Sequence, residues 1–210
     1  MDIKEVKNPK SKVKGLLGSK LGEVVEASSA EFTAQCYKLD QAPLLGNIVK
    51  TQGYTGEIYG VVYNVETHSL EPGRRVVARG ENLAAEKEIF AANPQLYRLL
   101  TTYFKVLILG YVEGNNWHHY LPPKSASIHG FVYSCQPEEI RAFTRTLDFL
   151  SLIINARIPV PVDEVAAACI RYASQAHHDT DAFLVKAGKE LAVMLSGDIN
   201  RLNSILRRLK

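Results

Sequence analysis

Cysteine pairs, long apolar runs and catalytic signatures are what this sequence most plainly lacks. Its three cysteines, Cys36, Cys135 and Cys169, are far apart and odd in number, and no CxxC occurs. That argues against a disulfide scaffold or a structural zinc site and for reduced core thiols in a cytoplasmic protein. The longest apolar run, Val106 to Gly110 extended by Tyr111 and Val112, falls far short of the ~20 residues that span a bilayer. Met1-Asp2-Ile3-Lys4 leads into a lysine-rich stretch without the apolar segment of a secretory signal. A cytoplasmic location with no membrane partner follows as the expectation. No GxSxG is present, and no cysteine lies in a catalytic motif.

A phosphate loop is also missing, although GLLGSK at Gly15–Lys20 resembles one at first sight. A nucleotide-cradling loop needs four residues between its first glycine and a Gly-Lys-Ser/Thr triplet, so that backbone N–H groups wrap the phosphates below the lysine. Here two leucines separate Gly15 from Gly18, and Ser19 precedes Lys20. The flanks are wrong as well: Lys10-Ser11-Lys12-Val13-Lys14 is too charged for a central strand, and Leu21-Gly22-Glu23-Val24-Val25 reads as strand where a helix is required. No cofactor is expected, and the chain is read as not an enzyme.

What is present is an ordinary globular composition, 46% hydrophobic and 22% charged over 210 residues, enough to bury a core without staples. The net charge of +3 is unevenly spread. Residues 1–20 hold six lysines against Asp2 and Glu5, whereas the other 190 residues carry 19 basic and 20 acidic side chains. A basic arm over 1–20 can contact phosphate backbones by counterion release or simply solvate the terminus. Lys7, Lys10, Lys12 and Lys14 are its candidate nucleic-acid contacts. Arg207 and Arg208 are the candidates at the other end, on the polar side of a last helix that also carries Arg201 and Lys210.

The pattern changes near residue 136. Before it, period-two segments predict strands over 22–27, 31–37, 47–51, 57–65, 74–79, 105–113 and 129–134, with turns at Ser28-Ser29-Ala30, Pro72-Gly73 and Gly114-Asn115-Asn116 and a corner at Pro122-Pro123. Short strands at this spacing argue a small antiparallel barrel over 21–135. A helical insertion is expected near 82–104, where Asn93 reads as an N-cap before Pro94. Leu96, Leu99, Leu100, Tyr103 and Phe104 then form an amphipathic stripe. Residues 136–210 read as a helical domain. One helix starts at Pro137 with Ile140, Phe143, Leu147, Leu150 and Ile154 inward. A second is capped by Asp163, with Val165, Ala168, Cys169 and Tyr172 inward; a third is capped by Thr180 or Asp181; a fourth runs over 199–209. The fold class is therefore α+β, a small N-terminal antiparallel β-barrel with a helical insertion followed by a C-terminal helical domain.

Two histidine clusters have the residue types of a metal site. His177-His178-Asp179-Thr180-Asp181 reads better as an interhelical turn with an aspartate cap, because adjacent helical histidines point about 100° apart. His118 and His119 would face opposite ways along an extended chain. No metal ligand is assigned.

The order of Leu21-Gly22-Glu23-Val24-Val25, Ser28-Ser29-Ala30-Glu31-Phe32, Leu45-Gly46-Asn47-Ile48-Val49, Ile58-Tyr59-Gly60-Val61-Val62 and Val106-Leu107-Ile108-Leu109-Gly110-Tyr111 with Pro122-Pro123 resembles the HAS barrel. That small β-barrel is shared by the HerA family of hexameric DNA-translocating ATPases and the N-terminal domains of rotary ATP synthase subunits. The resemblance covers about residues 20–135 and implies assembly, because such barrels form collars and bind neighbours. It implies no ATPase activity, since helical residues without a Walker loop follow the barrel here. Three functions are expected in order: a stand-alone, non-catalytic adaptor that self-associates or docks on a larger, DNA-processing ATPase machine through its barrel; a nucleic-acid-binding module using the lysine arm and the C-terminal basic face; and an enzyme whose site is built from residues distant in sequence.

Overall fold

Alternation of apolar side chains sets the first half of the fold. The computed structural model describes residues 18–39, 41–71, 73 and 75–209. In it β1 (Lys20–Ala27) and β2 (Glu31–Cys36) form the hairpin expected across Ser28-Ser29-Ala30. A second hairpin joins β3 (Ile48–Gln52) to β4 (Glu57–Ser69). Two short helices follow, α1 (Glu86–Ala92) and α2 (Leu96–Leu99), and then β5 (Leu100–Glu113), β6 (Asn116–His118) and β7 (Phe131–Ser134). All strand pairings are antiparallel, and the order β2-β1-β7-β3-β4-β5 closes because β5 also pairs with β2. Six strands thus form a closed barrel, with β6 appended to β5. The four residues of β7 are inserted between β1 and β3.

The wall made by β3, β4 and β5 is apolar on both faces. Ile58 and Val62 point into the barrel with Val24, Phe32, Phe104, Val106, Ile108 and Val132. Their neighbours Tyr59, Val61 and Tyr63 point outward and join Ile48, Leu107 and Leu109 in a second core shared with the helices. A strand buried on both sides loses the polar alternation of a one-sided strand, which is how IYGVVY reads. Each fully buried Val, Ile or Phe of these stripes stabilises the fold by ~1.5–3 kcal/mol relative to exposure.

Over that wall lie α3 (Pro137–Phe143), α4 (Leu150–Ile154), α5 (Val162–Ser174), α6 (Thr180–Met194) and α7 (Ile199–Arg207). The middle helix, α5, touches β3, β4, α4, α6 and α7. Its VAAACI run, Val165 to Ile170, is buried all round, because small alanines let a helix approach its neighbours closely. Gly46 marks the closest approach of barrel to helix. Its φ is +85°, and a Cβ there would stand 2.4 Å from the Ala168 carbonyl carbon of α5. Among the described residues no helix is long and apolar enough to cross a membrane.

Several boundaries differ from the sequence expectation. Residues 75–80 carry no strand, so the one expected over 74–79 is absent there; Pro72 and Arg74 lie outside the described residues. The helical insertion expected near 82–104 is reduced to α1 and α2. Asn93 terminates α1 instead of starting a helix, and Leu100, Tyr103 and Phe104 belong to β5. The helix expected from Pro137 to Ile154 breaks between Phe143 and Leu150, although all five residues of its expected inner face are buried. Asp163 lies in the first turn of α5 after an N-cap at Pro161, and Asp179 caps α6 by accepting from the Ala182 N–H at 2.8 Å. Ile199, which with Leu202, Ile205, Leu206 and Leu209 makes the apolar stripe expected to line the last helix, is 66% exposed.

Candidate functional site

The residues singled out by sequence do not converge. Lys7, Lys10, Lys12 and Lys14 lie outside the described residues. Lys20, the lysine of GLLGSK, is in β1, with its Nζ 3.2 Å from the Phe131 ring centroid and 4.8 Å from that of Tyr37. Arg207 is exposed. Arg208 is held by Glu164 of α5 and by Ser204, and Arg201 by Asp163 at 2.8 Å. Arg201 and Arg208 thereby tie α7 to α5, while Lys210 lies outside the described residues. His177 stacks on Phe183 at 4.1 Å and pairs with the Thr144 hydroxyl, as suits an interhelical turn. Among the described residues no cluster of histidine, cysteine and carboxylate side chains could hold a metal ion.

All three cysteines are buried and free. Burial pushes the Cys36 thiol up to about 11 and that of Cys169 to about 12, and raises Cys135 further. A thiol held protonated is a poor nucleophile.

Two polar groupings escaped the sequence reading. The first sits where β3 meets α3. The Lys50 ammonium, 5% exposed, donates to Glu139 and lies 2.8 Å from Glu57, whose other oxygen accepts from Tyr59 at 3.0 Å. Burial opposes the Lys50 charge, but Glu139 and Glu57 outweigh it and raise the ammonium above its usual value. The second oxygen of Glu139 accepts the Gln136 N–H and closes a capping box, so one carboxylate both starts α3 and pins it to the barrel. Beside this lies an aromatic box in which Tyr59 stacks on Phe143 at 5.4 Å and Trp117 and His119 pack edge-on. His119 pairs with Thr146 through Nδ1, and its buried Nε2 makes no well-formed hydrogen bond among the described residues. His118 turns the other way, onto Tyr111.

The second grouping is at the open end of the barrel. β3 follows β4 only as far as Val61, with the Asn47 and Gly46 backbones extending the pairing to Val62. Among the described residues, β4 from residue 64 to 69 is paired on one edge alone, to β5. Val76 and Val77, 59% and 68% exposed, lie in the coil that follows this ribbon, and half-exposed Leu83 comes next. On the other side of the ribbon, β2 leaves β5 after Gln35↔Tyr103. The cleft opened there is about 380 Å³, with Lys38 and Arg98 among its lining. The chain matches no known protein-family model and no curated protein.

Proposed function

We propose that this chain is a non-catalytic assembly protein, a stand-alone barrel of the HAS type that docks through its open end on a second protein surface. That surface is another copy of the chain or a larger, DNA-processing ATPase machine. The observation that carries the reading is the one-sided ribbon of β4, with Val76, Val77 and Leu83 exposed just beyond it. An unpaired strand edge offers backbone donors and acceptors to an incoming chain, and adjacent exposed valines add apolar area that a lone soluble surface gains nothing by displaying. The closed wall behind the edge supplies a rigid mount.

Nucleic-acid binding through the C-terminal face has less support, because Arg208 and Arg201 are already engaged by carboxylates. Sedimentation velocity over a range of concentrations, together with cross-linking in extract of the source cell, tests the assembly reading with the wild-type chain and a Val76→Glu, Val77→Glu variant. The wild type is expected in larger species that the variant loses. A wild type that sediments as a monomer, and whose cross-linked partners survive both substitutions, overturns the reading.

A further inference from the structure

We infer that the cleft between the end of β2, α2 and the start of β5 binds a small organic anion, a carboxylate or phosphomonoester carried on an apolar body. This goes beyond the assembly reading and does not depend on it, since Val76 and Val77 do not line the cleft. At about 380 Å³ the cleft falls in the range of small-molecule sites, ~300–1,000 Å³. Its charge is of one sign: Lys38 on one wall and Arg98 on the other, with no carboxylate among the described residues that line it. Neither cation is in an ion pair among the described residues. Two cations on a concave surface attract an anion more strongly than the same charges on a flat one, and a guanidinium meets a carboxylate or phosphate through two parallel hydrogen bonds.

The floor is polar and fixed. Thr101 and Thr102 are 5% and 2% exposed. Thr102 donates to the Leu39 carbonyl at 3.1 Å and accepts from Thr67, which uses its only proton and anchors the Lys38 wall to β5. Thr101 accepts from the Gln35 amide at 3.0 Å, so its own hydroxyl proton remains available to a ligand oxygen. Tyr97 is braced by Phe90 at 4.9 Å, and together with Leu70 it supplies the apolar side. A bare inorganic ion would leave that side unfilled, and a neutral ring would leave the two cations without a partner.

Isothermal titration of the full chain with phenyl phosphate, benzoate, inorganic phosphate and benzyl alcohol tests the assignment. Saturable one-site binding is expected for phenyl phosphate or benzoate, with inorganic phosphate and benzyl alcohol each at least ~10-fold weaker. Arg98→Gln and Lys38→Gln, both at exposed positions, should each weaken binding by ~10-fold or more, the loss of one charge-assisted hydrogen bond. Thr101→Val, with folding checked by circular dichroism, should weaken it without changing the stoichiometry. The inference is overturned if neither organic anion saturates, or if Arg98→Gln and Lys38→Gln leave the affinity unchanged. It is equally overturned if inorganic phosphate or benzyl alcohol binds as tightly as phenyl phosphate.

Discussion

Two histidines have their proton affinity lowered by their surroundings. Burial against Phe143 and Phe149 lowers the His119 value, and burial followed by the nearby Arg141 and Lys186 charges lowers that of His177. Because the folded-state values are depressed, the unfolded chain takes up protons first as pH falls below ~6.5, and stability declines from there down through the folded values. Urea unfolding at a series of pH values should therefore show a loss between about pH 7 and 5, above the window in which carboxylates titrate. Most of that slope should vanish in His119→Gln, His177→Gln; an unchanged slope in the double variant refutes the assignment. Neither histidine advertised this role, because each sits beside a second histidine that faces elsewhere. Lys50 was legible only as an unexplained charge in an apolar strand, since its partner Glu139 is 89 residues away.

At the scale of elements, the strands that read correctly are those whose pattern carries its own explanation. Phe32, Ala34 and Cys36 alternate with polar residues and are all buried. Misreadings occurred where one stretch satisfies two periods. Leu96, Leu99, Leu100, Tyr103 and Phe104 fit a helical stripe, yet Leu100, Thr102, Phe104, Val106 and Ile108 also fit a strand. The deciding partner is β4, whose far end, Glu66-Thr67-His68-Ser69, is too polar to be recognised as strand by itself. Long-range pairing overrode local propensity there. The cleft was invisible for the same reason, since its two cations come from segments 60 residues apart. The meeting of barrel and α5 is open to a single substitution: Gly46→Ala combines a left-handed backbone with a clash against the Ala168 carbonyl. It should cost ~2–4 kcal/mol, read as a lower urea midpoint with an unchanged slope. A loss under ~0.5 kcal/mol, the size of an ordinary surface change, would show that α5 yields freely.

The molecule as a whole has two cores on either side of one wall. Ile58 and Val62 serve the barrel interior while Tyr59 and Val61 serve the helices, so neither core can be lost without exposing the far side of the same strands. Unfolding should accordingly be a single transition, with Trp117 fluorescence and far-ultraviolet dichroism coincident; two separated transitions would mean that the barrel and the helices melt independently. The placement of β7 also bears on how the chain comes into being on the ribosome. Synthesis delivers β1 to β6 first, yet the gap between β1 and β3 is filled only by residues 131–134. Until those four residues clear the exit tunnel, the nascent chain is an unsealed cylinder with two bare seams facing a crowded cell. The shortest strand of the cylinder is its keystone: until it emerges, the edges of β1 and β3 lie open to pairing with any other extended chain.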